Sequence, residues 1–184
     1  MDGILPFEFA VMNWILGHLH SEIMDHLMPL LTSFGDRGAV WILLSLVLLL
    51  LPKERPKGVQ ILLALGLSFL LSNLLLKNLI GRTRPFDVVT GIELLIKAPL
   101  DYSFPSGHTS ASFAAVTVLM MSRWKGRYFA LGLAVLIAFS RLYLYVHYPT
   151  DVLAGVIVGV GAGYLASKLY CFLRNTDIMQ KWRR

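Results

Sequence analysis

The sequence predicts an all-α protein, a polytopic transmembrane helical bundle of about six membrane segments forming a single domain over residues 1–184. Three observations carry this expectation. Of the 184 residues 56% are hydrophobic and only 15% are charged, and the mean hydropathy is +0.64, which leaves too little charge to cover a soluble domain of this size. The apolar residues also cluster in runs near the length a helix needs to cross a hydrocarbon layer roughly 30 Å thick. Gly38 to Leu51 and Val59 to Leu76 carry no charge, Tyr128 to Tyr148 carries only Arg141, and Val152 to Leu173 only Lys168. Finally, the runs lack the strict alternation that strands of a membrane barrel require.

Taken in order, Pro6 to Leu19 is apolar but short and ends among His18, His20, Glu22, Asp25 and His26, after which Leu27 to Phe34 is apolar again. This predicts an interfacial helix over residues 1–20 leading into a short first crossing. Asp36 is placed to cap the second segment, which runs to Leu51. Residues 52–57 form a tight polar turn, and the third segment runs from Gly58 to Ile80. Residues 81–105, rich in charge and proline, read as an extramembrane loop with one short surface helix. Ser106 caps a fourth segment that ends near Ser122. Residues 123–127 turn the chain, and the fifth segment runs from Tyr128 to about Val146, since Pro149 blocks its continuation. Thr150 or Asp151 starts the sixth, which ends near Leu173 before a basic tail. No cleavable leader is expected, because no basic residue precedes the first apolar run. The single cysteine, Cys171, cannot form an internal disulfide.

Because successive segments alternate direction, the loops sort onto two faces. One face collects both short basic turns and the C-terminus, ten lysines and arginines in all; the other collects Arg37, Lys77, Arg82, Arg84, Lys97 and Arg141. Positive charge favours the cytoplasmic side, so the first face and the C-terminus are expected in the cytoplasm and the second face outside. Topology thus accounts for the net charge of +6. Charges in short tight loops, rather than on a separate basic domain, argue against nucleic-acid binding.

Three polar clusters arrive at the second face: Lys77 to Pro85, Pro105 to His108, and Ser140 through His147 to Asp151. Singly, each residue has an ordinary explanation. Lys77 can snorkel, Arg84 can meet headgroups, Ser106, His108 and Asp151 can cap helices, and Arg141 with His147 can form a structural pair. Jointly they concentrate cations at membrane depth with few acids nearby, an arrangement that calls for an anionic ligand. Lys77, Arg84 and Arg141 offer charge and, for the arginines, a bidentate fork that matches phosphate. Ser106, Gly107 and His108 open a helix, where unpaired N–H groups favour an anion, and Gly107 lets it approach the backbone. His108 and His147 can exchange protons near neutral pH. Asp151, four residues beyond His147, can hold one ring nitrogen and leave the other free to attack.

These motifs resemble those of the type 2 phosphatidic acid phosphatase (PAP2) superfamily. Lys77 followed, after six residues, by Arg84-Pro85 is similar to its first signature, Pro105-Ser106-Gly107-His108 to its second, and Ser140-Arg141, His147 and Asp151 to its third, in the same order. The resemblance implies that His147 is the nucleophile and forms a phosphohistidine, that Asp151 orients it, and that His108 protonates the leaving group and then helps activate water. It implies that Lys77, Arg84, Ser106, Gly107 and Arg141 hold the phosphoryl oxygens. Arg82 is a candidate contact for a second phosphate, which the signature does not require. No metal and no other cofactor is implied, and no carboxylate cluster of metal-site type accompanies the histidines.

The implied reaction is hydrolysis of a lipid phosphate or diphosphate in a bacterial cytoplasmic membrane, with the site on the extracytoplasmic side. The leading expectation is undecaprenyl diphosphate going to undecaprenyl phosphate, with phosphatidylglycerophosphate or phosphatidic acid second. A non-catalytic phospholipid-binding or transport protein is the alternative of another class; it has no need of a His147–Asp151 pair with His108 opposite. The bilayer is the expected environment, and no obligate protein partner is evident.

Overall fold

The structure, a computed structural model, describes residues 5–89 and 91–176, with helices, turns and loops and no strand among the described residues. In order these are α1 (Leu5–Leu19), α2 (Glu22–Phe34), a 3-10 turn (Asp36–Gly38), α3 (Ala39–Leu50), α4 (Arg55–Phe69), a π-helical stretch (Leu70–Leu76), α5 (Lys77–Ile80), α6 (Pro85–Val88), α7 (Gly107–Met121), α8 (Arg127–Tyr143) and α9 (Pro149–Asn175). Lys181, Arg183 and Arg184 of the predicted basic tail lie outside the described residues.

Among the described residues, Arg55–Val88 and Pro149–Asn175 are long and apolar enough to cross a membrane. Glu22–Phe34 with Asp36–Leu50, a pair bent by 44°, makes a third if it is one broken span. This is fewer than the six segments expected from the sequence, although each predicted segment does contain a helix. The shortfall is one of length: α7 has 15 residues, about 22 Å at the helical rise. Large apolar side chains such as Leu50, Leu79, Ile157 and Phe172 face outward, a surface suited to lipid.

Local chemistry explains most boundaries. Ser21 caps α2 by accepting from the Met24 N–H, and α4 starts at Arg55 rather than Gly58 because Pro56 fits the first helical turn, where its missing N–H costs nothing. Ser106 caps α7 as expected, its hydroxyl accepting from the Thr109 N–H. Asp36 departs from expectation. The residue before α3 is Gly38, in a left-handed conformation, and no side chain caps that helix. The Asp36 carboxylate is used elsewhere.

α7 lies at the centre, with Ala114, Ala115, Val118 and Leu119 fully buried. Where water is absent, polar groups must find partners inside the protein. Trp41 Nε1 of α3 donates to Ser112 Oγ at 2.9 Å, and the hydroxyls of Ser68 and Ser72 donate to Ser110 Oγ at 3.0 and 2.8 Å. Against the other side of α7 lies a glycine stripe of α9. A Cβ on Gly155 would stand 2.8 Å from the Ser106 carbonyl oxygen, one on Gly163 2.5 Å from that of Ala114, and one on Gly159 would collide with that of Ser110. Only glycine permits this approach. At its end, the Ser106 N–H donates to the Asp151 carbonyl at 3.0 Å, tying the start of α7 to the start of α9.

Candidate active site

The three clusters expected on one face do meet. A cavity of about 930 Å³ is lined by Lys77 of α5, Arg84 just before α6, Gly107 and His108 in the first turn of α7, Arg141 in the last turn of α8, and His147 in the α8–α9 corner. That corner is tight. Tyr145 takes a left-handed φ of 58°, held by its hydroxyl donating to Asn13 Oδ1 at 2.9 Å, and Pro149 opens α9.

His147 is buried, and its two ring nitrogens face different partners. Arg84 Nη1 stands 3.3 Å from Nε2. A guanidinium only donates, so Nε2 must accept and the neutral ring carries its proton on Nδ1. Nδ1 faces Asp151 Oδ2 at 3.5 Å. The gap is long because Oδ2 already accepts from Ser103 Oγ at 2.5 Å and from the Tyr148 N–H at 2.9 Å. The unprotonated, nucleophilic nitrogen is therefore Nε2, engaged here only by Arg84, and it belongs to a residue lining the cavity.

Behind this ring lies a compact ionic cluster. Arg82 donates through Nη1 to Asp151 Oδ1 at 2.6 Å and to Thr150 Oγ1 at 2.7 Å, and through Nη2 to Glu8 Oε2 at 2.5 Å. Its guanidinium also stacks 3.8 Å from the centre of the Tyr148 ring. Glu8 Oε1 accepts from the hydroxyl of Thr150, and Glu8 and Asp151 have no exposed surface. Arg82, the candidate contact for a second phosphate, instead directs three N–H groups to Asp151, Thr150 and Glu8 and does not line the cavity. Ser106 likewise does not line the cavity; it is buried, and Thr109 Oγ1 donates to its Oγ at 2.9 Å. The residues that do line it at this helix start are Gly107 and His108.

In front, the balance is different. Arg141 is buried and donates through Nη1 to Thr32 Oγ1 at 2.6 Å, while its Nε has no partner among the described residues and no carboxylate pairs with it there. Lys77 and Arg84 share one acid, Asp101 of the loop before α7. Lys77 Nζ donates to Asp101 Oδ2, and Arg84 Nη2 to Asp101 Oδ1 at 2.6 Å. Partial burial works against the Asp101 carboxylate, but the hydrogen bonds and charges of Lys77 and Arg84 prevail and hold it at about 2, well below the usual carboxylate range. His108 Nε2 donates to Asp36 Oδ1 at 2.8 Å. Asn73, in the π-helical stretch, also lines the cavity and sits so close that a Cβ on Gly107 would lie 2.8 Å from its Oδ1.

Glu8, Asp36, Asn73, Asp101 and Ser103 were not among the predicted site residues. A signal existed for Glu8, a lone acid within an apolar run. Asn73 lies within a helical run, and Asp36, Asp101 and Ser103 sit in turns and loops whose partners lie far away in sequence.

An all-helical bundle with a lipid-suited surface, and with cations gathered before a carboxylate-backed histidine, defines a membrane-embedded phosphate-handling hydrolase. The chain belongs to the PAP2 superfamily, whose family model matches residues 57–174. It is 35% identical over 150 residues to the undecaprenyl-diphosphatase of Sulfolobus acidocaldarius, covering 79% of this chain and 70% of that one. It is 29% identical over 161 residues to the undecaprenyl-diphosphatase BcrC of Bacillus subtilis, covering 88% and 79%. The crystal structure of LpxE from Aquifex aeolicus aligns with a TM-score of 0.76 at 28% identity, over 87% of this chain and 94% of that one. The protein is thus an integral membrane phosphatase of PAP2 type. All three motifs fall inside the family match, whereas Glu8, Thr32 and Asp36 precede it.

Proposed function

We propose that this protein removes the terminal phosphate of an isoprenoid diphosphate in the membrane, with undecaprenyl diphosphate going to undecaprenyl phosphate as the leading case, through a phosphohistidine at His147. The observation that carries the reading is the unprotonated Nε2 of His147, met only by the phosphate-type donor Arg84, in a cavity where Arg141 has no carboxylate partner among the described residues. The relatives named undecaprenyl-diphosphatase support the choice of substrate.

In the proposed mechanism the diphosphate's terminal phosphoryl group takes the place of Asp101 between Lys77 and Arg84, with Arg141 and the Gly107 backbone completing its support. His147 Nε2 attacks phosphorus, dividing hydrolysis into two steps. The cations stabilise charge on the transferred group, which is most of what phosphoryl transfer asks of a protein. His108 protonates the departing oxygen, then takes a proton from the water that releases phosphate. Asp151 keeps the imidazole tautomer fixed. The chain acts as a single domain in the bacterial cytoplasmic membrane, with residues 1–20 near the interface, the 81–105 loop extracytoplasmic and the C-terminus cytoplasmic.

Phosphate release by the purified chain in detergent, with His147→Ala beside it, tests the chemistry; activity retained in the variant sinks the nucleophile assignment. Comparing undecaprenyl diphosphate, a shorter isoprenoid diphosphate, phosphatidylglycerophosphate and phosphatidic acid tests the substrate, and preference for either phospholipid overturns it. A Glu93→Cys reporter in a Cys171→Ser background should react with an impermeant thiol reagent in intact cells. Reaction only after lysis reverses the orientation.

A further inference from the structure

We propose that Asp36 is a positioning residue for His108, supplied by a turn that lies outside the part of the chain carrying the family motifs. The inference rests on the phosphohistidine reading above and adds to it the group that sets up the acid.

The geometry starts in the backbone. Between α2 and α3 the chain passes through Gly35, Asp36, Arg37 and Gly38, and Arg37 and Gly38 are both left-handed, with φ of 52° and 71°. Such a conformation is costly at a non-glycine residue and persists only where surrounding contacts impose it. The start of this turn packs on the His108 ring. A Cβ on Gly35 would stand 2.8 Å from His108 Cδ2, so the turn closes on the imidazole only because Gly35 has no side chain. Asp36 then accepts from His108 Nε2 at 2.8 Å, and one helical turn earlier Thr32 accepts from Arg141. Two side chains from one short segment thus meet two motif residues. Asp36 has no capping task that would explain it, since α3 has no side-chain cap.

The chemistry gives this contact a use. In the first step the His147 Nε2 lone pair forms the N–P bond while the P–O bond to the leaving group breaks, and protonated His108 gives its proton to the departing oxygen. In the second, a water oxygen bonds to phosphorus, the P–N bond breaks, and neutral His108 takes the water's proton, so that phosphate leaves and both histidines return to their starting states. Asp36 stays a carboxylate throughout. It holds the ring's orientation and offsets the positive charge that His108 carries in the first step, in a cavity otherwise dominated by Lys77, Arg84 and Arg141.

The test uses leaving-group dependence, which a merely structural residue would not alter. The full chain in detergent is assayed for kcat/KM on a long-chain alkyl phosphate, whose alkoxide needs a proton, and on p-nitrophenyl phosphate, whose phenolate leaves without one. Asp36→Asn should lower kcat/KM on the alkyl ester by about 10–100-fold, the range for a group that orients a reacting side chain, and leave the nitrophenyl ester nearly unchanged. Asp36→Glu should restore most of the loss. In a His108→Ala background Asp36→Asn should cost nothing further, because the two act as one unit. Equal proportional losses on both esters, or an additive loss in the double variant, would overturn the proposal. His147→Ala is run alongside. If it is inactive while Asp36→Asn behaves like wild type, the positioning role alone falls; if it is active, the phosphohistidine reading falls with it. Asp36 is exposed at 63% of its side-chain surface, so its replacement leaves the packed interior intact.

Discussion

The two sides of His147 are built on opposite electrostatic plans. Behind the ring, Asp151, Arg82 and Glu8 form a closed ionic cluster whose two carboxylates are fully buried and whose arginine donates to both. In front, Lys77, Arg84, Arg141 and His108 face the cavity, and the acids that meet them there, Asp101 on Lys77 and Arg84 and Asp36 on His108, are exposed and lie in a loop and a short 3-10 turn rather than in α-helices. Buried charges that are fully paired fix geometry, because breaking the pair is expensive. Buried charges that are incompletely paired hold a place for an ion that comes and goes. The rear therefore sets the ring, and the front waits for phosphate.

The sharpest test of this contrast is Asp151→Asn. Asparagine keeps the shape but can no longer enforce the Nδ1–H tautomer, and by analogy with other buried carboxylate–histidine pairs kcat should fall by about 10⁴-fold. A loss of only a few fold would mean that the ring is held by its packing, not by the carboxylate. Next is Arg141→Ala. Removing a preorganised donor to a transferred group costs about 10²–10³-fold in kcat, and the folded protein should survive it, since Arg141 gives up one hydrogen bond to Thr32. A large fall in the unfolding midpoint without a fall in kcat would place Arg141 with the structural residues instead.

Glu8→Gln probes the rear as structure. It leaves Arg82 with one carboxylate in place of two, and breaking a buried pair costs about 3 kcal/mol or more, which is roughly 6–12 °C in unfolding midpoint at this chain length. Thermal unfolding in detergent reads this directly, and an unshifted midpoint would show that the cluster contributes no stability. The smallest effect belongs to Asp101→Asn. The carboxylate competes with substrate for Lys77 and Arg84, so its neutralisation should lower KM by about two- to fivefold, the worth of a half-exposed ion pair. The sign of the pH dependence follows from Asp101 being held at about 2. It is ionised at ordinary assay pH, so the KM difference stays constant there and shrinks only as the pH falls through the acid range toward 2. A KM that rises in the variant would make Asp101 a ligand rather than a competitor.

Much of this architecture was legible in the sequence because it rests on local signals. Charge-free runs marked the helices, Ser106 marked a helix start, Pro149 marked the break between two segments, and the charge of Lys77, Arg84 and Arg141 marked the face. What was not legible depends on contacts between distant segments. Glu8 meets Thr150 across 142 residues, and Asp36 meets His108 across 72. Arg82 shows why charge alone misleads. Two residues from Arg84 in the chain, it looked like another phosphate ligand, yet in the irregular link between α5 and α6 it is directed toward Glu8 and Asp151. The π-helical stretch at Leu70–Leu76 was equally silent, since its leucines continue the apolar pattern of α4.

The glycine stripe of α9 has one more consequence. Gly155, Gly159 and Gly163 bring α9 against the α7 backbone and the Cβ atoms of Thr109, Phe113 and Thr117, so the spacing from His147 and Asp151 to His108 is set by main-chain and Cβ contact. Main-chain contact has no adjustable part: a larger residue prises the helices apart, and no smaller one exists. The cavity lining at Leu65, Phe69 and Pro29, by contrast, is made of side chains that can be exchanged for others of similar kind. The glycine stripe thus works as a fixed gauge and these side chains as a replaceable lining, and a descendant of this chain could reshape the cavity without resetting the distance over which its histidines cooperate.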